Sequence, residues 1–126
     1  MSIVAGVLIG VVAVLHVFFL VLEMFLWTKP LGRRVFNDDA EFARSTTTMA
    51  ANQGLYNGFL AAGLGWGLVS GDLDIRLFFL GCVVVAGLYG AATVSPRILY
   101  VQAVPAVLAG VAVARRTART RPTPPT

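Results

Sequence analysis

Four long stretches without a single Asp, Glu, Lys or Arg constrain this fold more than any other feature of the sequence. They occupy residues 3–22, 49–69, 77–94 and 98–114. A helix needs roughly 20 mainly apolar residues, within a range of about 17–25, to cross the hydrocarbon core of a bilayer. A soluble chain of 126 residues has no core large enough to bury four such helices on all sides. The pattern predicts an all-α fold, an integral membrane four-helix antiparallel bundle formed by one domain over residues 1–114.

The distribution of charge supports a membrane location. Charged residues make up 13% of the chain, about half the share of an ordinary globular domain. The formal net charge is +4, but the charged side chains lie almost wholly outside the four stretches. A nucleic-acid surface would need Lys and Arg along a face of the folded domain. We therefore expect the lipid bilayer of the inner (plasma) membrane as the partner, and no nucleic acid.

The predicted helices span residues 3–27, 49–69, 77–94 and 98–114. Pro30 and Gly32 are expected to break helix one. Asp38 and Glu41 have the spacing of a capping box and predict a short surface helix within loop one, residues 28–48. Loops two and three are predicted at residues 70–76 and 95–97.

Two further features concern the C-terminal part of the chain. Pro105 is expected to kink helix four. Residues 115–126 are rich in Arg and Pro, a composition that cannot bury apolar surface and predicts a disordered tail.

The orientation of the predicted bundle rests on weak signals. Short loops make consecutive helices antiparallel neighbours, so four spans place both termini on one side. The cytoplasmic side normally carries more Lys and Arg, but five lie on each side here. The arginines of the tail favour cytoplasmic termini, whereas the cluster after helix one favours the reverse. We expect a multi-pass protein with cytoplasmic termini.

Small residues recur four positions apart, as in Gly6/Gly10 and Gly54/Gly58. This spacing lets helix backbones approach closely in lipid. It suits packing within one chain or a seam between two copies. We expect packing within the chain for Gly54/Gly58, and a homodimer seam for Gly6/Gly10.

Polar residues inside the predicted spans concentrate in one leaflet. His16 and Glu23 of helix one lie within about 20° of one face and about 10.5 Å apart along the axis. Since neighbouring helices are antiparallel, the polar residues of helices two to four come to a depth similar to that of Glu23. These residues are Asn52, Gln53, Tyr56, Asn57, Tyr89, Thr93 and Gln102.

This arrangement predicts an intramembrane polar pocket open toward loops one and three. Glu23 is its candidate catalytic acid or base, facing Asn52 or Gln53, with His16 at its floor. The polar residues of the other three helices are candidates for ligand binding, and the candidate walls are Phe18, Phe19, Phe59 and Phe79. The alternative is interhelical hydrogen bonding that merely holds the bundle together, at about 0.6 kcal/mol per bond. His16 could equally be a satisfied core histidine.

The sequence predicts no metal site and no cofactor. His16 and Glu23 supply two potential ligands, whereas a transition metal usually needs three or four. There is no phosphate loop and no dinucleotide fingerprint. The expected activity is binding or handling of a small lipid-like or amphipathic molecule, and whether this includes catalysis stays open. The alternatives are a small proton-coupled transporter and a structural or partner-binding membrane subunit.

Four runs of sequence carry a resemblance to a known family. They are LEMFLWTKPLGRRVF (22–36), AANQGLYNGFLAAGL (50–64), FFLGCVVVAGLYGAATVS (78–95) and RILYVQAVPA (97–106). These runs resemble the small bacterial and fungal membrane proteins of the domain of unknown function 1304 family. The resemblance implies an integral membrane protein with four spans and implies no activity. Most of the predicted pocket residues fall within these runs.

Overall fold

The computed structural model describes residues 2–93 and 99–120, with the backbone alone at Leu99. The predicted all-α class is confirmed. The predicted number of four helices is wrong, because the described residues form six α-helices and one π-helical segment. The α-helices are α1 (Ile3–Met24), α2 (Pro30–Phe36), α3 (Ala40–Ser45), α4 (Thr47–Ser70), α5 (Leu73–Thr93) and α6 (Val104–Thr120), and the π-helical segment is Leu99–Ala103.

The two additional helices, α2 and α3, lie within predicted loop one. Helix α1 ends at Met24, before Pro30, and Pro30 begins α2. Proline is well tolerated there because it lacks only an N–H that the first helical turn leaves unpaired, and because its φ already suits a helix. The surface helix predicted near Asp38 is α3. Its N-cap is Asp39, which accepts the N–H of Phe42 at 2.7 Å, so the predicted capping position was wrong by one residue.

The chain divides into two compact units. The first, Ala13–Ala62, is called the Glu23 unit below. The second combines Met1–Val12 with Gly63–Thr126 and is called the Arg76 unit. Each is described by itself.

In the Glu23 unit, the second half of α1 packs antiparallel against the first half of α4. A Cβ atom at Gly54 would lie 2.7 Å from Met24 Cγ and 3.1 Å from Glu23 Cβ, and one at Gly58 would lie 2.7 Å from Leu20 Cδ1. The absence of these Cβ atoms lets the two helices approach closely. The prediction of packing within the chain at Gly54 and Gly58 is therefore confirmed.

In the Arg76 unit, a two-residue turn connects α4 to α5, where the sequence predicted a seven-residue loop. Gly71 has a φ of +75°, a left-handed conformation that glycine adopts at no steric cost. Asp72 then caps α5, since its Oδ1 accepts the N–H of Asp74 at 2.9 Å and that of Ile75 at 3.2 Å. The long helices therefore begin and end closer to the turn than predicted.

The π-helical segment and α6 complete the Arg76 unit. A Cβ atom at Gly87 of α5 would lie 2.9 Å from Ala103 Cβ, so α5 passes close to the π-helical segment. The backbone irregularity expected at Pro105 takes the form of this segment, immediately before α6. Pro105 has no N–H for the carbonyl of Val101, and this loss disrupts the regular α-helical ladder.

The C-terminal tail is more ordered than predicted. α6 continues through Arg115, Arg116 and Arg119 to Thr120, so the predicted disorder is wrong for residues 115–120. Arginine and alanine favour helices, and the helix-breaking prolines begin only at position 122. Residues 121–126 and predicted loop three, residues 95–97, lie outside the described residues.

Among the described helices, α1 and α5 are long and apolar enough to cross a membrane. Only 22% of the apolar window of each is buried inside the protein, whereas the core helix of a soluble protein is mostly buried. Most of the apolar side chains of α1 and α5 therefore lie on the surface of the protein.

The other long helices also expose large apolar side chains. Trp66 and Val69 of α4 and Val107 and Leu108 of α6 are exposed. Gly10 of the Arg76 unit, which the sequence predicts to lie in a homodimer seam, has no atom within 4 Å of the position where a Cβ would lie. The seam itself stays a prediction.

Candidate functional site

The inward face of α1 carries both candidate catalytic residues. Its buried positions follow one another at intervals of three, four or seven residues, through Ala5, Ile9, Val12, His16 and Glu23. This is the spacing of one helix face. His16 is fully buried and Glu23 is 3% exposed, so the two residues lie on one buried face, as their spacing predicts.

Glu23 is held by an amide from α4. The Nδ2–H of Asn57 donates a hydrogen bond to Glu23 Oε1 at 2.5 Å. Within the part of the chain that the structure describes, Asn57 is the one hydrogen-bond partner of this carboxyl group. No fully buried side-chain oxygen or nitrogen in that part lacks a partner. Among the described residues, this hydrogen bond engages one of the two carboxyl oxygens of Glu23.

The partner of Glu23 differs from the expected Asn52 or Gln53. Asn52, Gln53 and Tyr56 are exposed, and the ring of Tyr56 packs edge-on against Phe59 at 5.6 Å between centroids. Gly54 sets which side of α4 faces α1. Asn57, three positions after Gly54, shares the glycine's face. The glycine was the signal in the sequence that could have identified Asn57 as the partner.

His16 lies in an aromatic environment. Its ring meets that of Phe19 edge to face, with 5.8 Å between centroids and an interplanar angle of 84°. Phe19, a predicted wall residue, therefore contacts the predicted floor of the pocket. Phe18 and Phe59, two other predicted walls, are half exposed.

The remaining candidate residues belong to the Arg76 unit. Tyr89 is 72% exposed, and Thr93 donates its hydroxyl to the Tyr89 carbonyl at 2.7 Å. Gln102 lies half-buried in the π-helical segment and already has an interaction within the protein. Phe79, the fourth predicted wall residue, packs against Gly63. Ligand binding by Tyr89, Thr93 and Gln102 stays a prediction.

The chain just beyond Glu23 is fixed by contacts that sequence reasoning missed. Trp27 Nε1–H donates to Thr46 Oγ1 at 3.0 Å, and its ring lies 4.9 Å from that of Phe36 between centroids. Gly32 of α2 lies against the Leu26 backbone, where a Cβ atom would collide with the Leu26 carbonyl. Helices α2 and α3 thereby anchor the end of α1.

Two observations bear on charge and metals around this unit. Among the described residues, no group of three or more His, Cys, Asp or Glu side chains could hold a metal ion. Outside α1, partial burial and then repulsion from Asp39 raise the pKa of the Asp38 carboxyl.

These features define an all-α protein with a buried carboxyl–amide pair between two closely packed helices. The chain belongs to the family described as protein of unknown function (DUF1304), whose model matches residues 10–114. It is also 33% identical over 113 residues to uncharacterized protein YpaA of Lactococcus lactis subsp. lactis (strain IL1403), covering 86% of this chain and 95% of that protein. No solved structure matches the chain. The resemblance of the four sequence runs is confirmed, and the basic C-terminus lies outside the match.

Proposed function

We propose that this protein is a multi-pass membrane protein in which Glu23 and Asn57 bind the polar head of a small, largely apolar molecule. The four long helices α1, α4, α5 and α6 with its preceding π-helical segment would be the spans. The termini would face the cytoplasm. Helices α2 and α3 would lie at the membrane surface.

The exposed side chains support a bilayer as the surrounding medium. Val14 and Phe25 of the Glu23 unit, and Phe78 and Val85 of the Arg76 unit, are each about two-thirds exposed. Helix α4 contains no charged residue over its full range, Thr47–Ser70. Apolar surface on this scale is costly in water. In a bilayer the same surface meets lipid chains.

The Glu23–Asn57 hydrogen bond carries the proposal. A carboxyl group inside a membrane is costly unless it is paired, and intramembrane ionisable residues mark functional sites by default. Here the amide engages one of the two carboxyl oxygens. A ligand with a hydroxyl, amine or amide head would donate a hydrogen bond to the other carboxyl oxygen, while its apolar part would lie among the surrounding helices.

The test is which molecules the purified protein retains. The wild type, Glu23→Gln and Glu41→Gln would be extracted from their membranes in mild detergent, and the bound small molecules identified by mass spectrometry. Glu41 is an exposed glutamate of α3, so it receives the same substitution away from the pair. We expect a molecule retained by the wild type and by Glu41→Gln, and lost from Glu23→Gln.

A structural role is the second candidate, because the same hydrogen bond ties α1 to α4. In that case Glu23→Gln would leave the retained molecules unchanged and would alter only thermal stability. Equal retention by all three proteins, with Glu23→Gln folded, would refute ligand binding and support the structural role.

A further inference from the structure

A second polar cavity lies in the Arg76 unit, independent of the Glu23–Asn57 pair. It is an open cleft of about 180 Å³. Its polar lining residues are Ser2, Arg76, Arg116, Thr117 and Thr120. No carboxylate is among its lining residues, which are all described by the structure. The cleft is therefore positively charged.

Arg76 is the built part of this cleft. It is only 7% exposed. Its Nε–H donates to the Gly67 carbonyl at 2.6 Å, and its Nη2 approaches the Leu68 carbonyl at 3.5 Å. These bonds orient the guanidinium and use two of its five N–H donors. Arg76 is one of the lining residues, so its remaining N–H donors would be the ones to engage a bound group.

The surrounding backbone adds to the positive potential. Helices α1 and α5 both begin at the cleft, since Ser2 caps α1 by accepting the Ala5 N–H at 3.1 Å and Leu73 is a lining residue. The N-terminal end of a helix carries a partial positive charge. At α5 the carboxylate of neighbouring Asp72 already caps the N-terminal end and offsets its partial charge, so the backbone contribution comes mainly from α1.

Arg116 supplies a second cation on the α6 side of the cleft. Its side chain is exposed, so it can move toward a ligand without leaving a buried partner. Thr117 and Thr120, the other polar groups of α6, already donate their hydroxyls to the Val113 and Arg116 carbonyls. The two arginines are therefore the main donors that a ligand would meet, and the Ser2 hydroxyl lies beside them in the lining.

We propose that this cleft binds a phosphate group. Guanidinium groups match phosphate oxygens in geometry and charge, and such charge-assisted bonds are stronger than neutral ones. The cleft is smaller than the ~300–1,000 Å³ of drug-sized pockets, so a phosphate fits while acyl chains stay outside. The phosphate could belong to an anionic phospholipid headgroup or be free in solution.

The experiment compares Arg116→Gln with Arg119→Gln in the full-length protein. Both arginines are exposed on the last turns of α6, but only Arg116 lines the cleft. Replacing Arg76 instead would uncap α4. Binding of phosphatidylglycerol and of phosphatidylcholine would be measured by native mass spectrometry, and binding of inorganic phosphate by calorimetry. We expect Arg116→Gln to weaken phosphatidylglycerol binding about tenfold, and Arg119→Gln less than about twofold.

The two sources give different results. A preference for phosphatidylglycerol over phosphatidylcholine that Arg116→Gln removes supports a headgroup. Inorganic phosphate binding that Arg116→Gln removes, without a lipid preference, supports free phosphate. Equal effects of the two substitutions, or no binding of either probe, would overturn the proposal.

Discussion

Among the described residues, each of the two units buries one side chain that is charged in water at neutral pH, and the partners of the two differ. Arg76 donates to the carbonyls of Gly67 and Leu68 near the C-terminal end of α4, and the Gly67 carbonyl also accepts the Gly71 N–H at 3.3 Å. Glu23 accepts from the neutral amide of Asn57, 34 positions away in sequence. The arginine therefore pairs with backbone groups close to it in sequence, whereas the carboxyl group pairs with a side chain of another helix.

This difference is the basis for proposing a ligand at Glu23 and for expecting a stabilising role of Arg76 at the end of α4. Arg76 donates to carbonyls at the end of α4, and these bonds do not depend on either proposed ligand. Asn57 could be replaced by an apolar residue if Glu23 were also apolar, so neither residue is required for the two helices to pack.

The largest expected effect concerns the close approach beside Glu23. Gly54→Leu would push α4 away from Leu20, Glu23 and Met24 and should lower the free energy of unfolding by about 3 kcal/mol. Gly65→Ala in the same helix is the control, because no atom lies within 4 Å of a Cβ there. It should change stability by less than about 1 kcal/mol. Denaturant titration in mixed micelles measures both, and similar losses would show that Gly54 is not a contact point.

Arg76 should come next in effect. Arg76→Met removes the hydrogen bond from a charged group to the Gly67 carbonyl, which keeps the Gly71 N–H, and the longer contact with the Leu68 carbonyl. Because hydrogen bonds from charged groups are the stronger ones, the loss should cost about 2 kcal/mol. Arg119→Met, which removes an exposed arginine from α6, should cost less than about 0.5 kcal/mol. Denaturant titration measures both variants. An unchanged free energy of unfolding for Arg76→Met would show that Arg76 does not stabilise the end of α4.

The polar residues of α4 should separate by their orientation. Asn57→Leu leaves Glu23 without its amide partner and should cost about 1 kcal/mol, near the value expected for hydrogen bonds in membranes. Asn52→Leu, at an exposed position, should be neutral or slightly stabilising in a bilayer. Thermal unfolding in lipid nanodiscs distinguishes them, and a larger loss for Asn52→Leu would reverse the assigned face of α4.

Asp38 provides the smallest effect. Because the pKa of its carboxyl is raised in the folded chain, the charged form is disfavoured, and its contribution to stability is present at low pH and lost as pH rises through the folded pKa. Asp38→Asn should therefore raise the melting temperature slightly at pH 7 and leave it unchanged well below pH 4. Melting curves at the two pH values test this sign, and a lower melting temperature at pH 7 would contradict it.

The sequence predicted the class, the four long helices and the closeness of α1 and α4, because apolar periodicity and glycine spacing are local signals. It did not identify α2, since Pro30 can end one helix or begin another. It also missed the capping role of Arg76, which depends on the two-residue turn at Gly71 and Asp72. Four polar residues of α4 were candidates to face Glu23. The packing of Gly54 against α1 shows which of them does, namely Asn57.

Chemical labelling of Glu23 tests the central claim most directly. Dicyclohexylcarbodiimide is an apolar reagent that enters membranes and modifies carboxyl groups, whereas a charged, water-soluble carbodiimide modifies exposed ones. In the reconstituted protein we predict that the apolar reagent modifies Glu23 and the water-soluble reagent modifies Glu41, as located by peptide mass spectrometry. Glu23 left unmodified by the apolar reagent, or modified as fast as Glu41 by the water-soluble one, would contradict an interior carboxyl group that is open to a small apolar molecule.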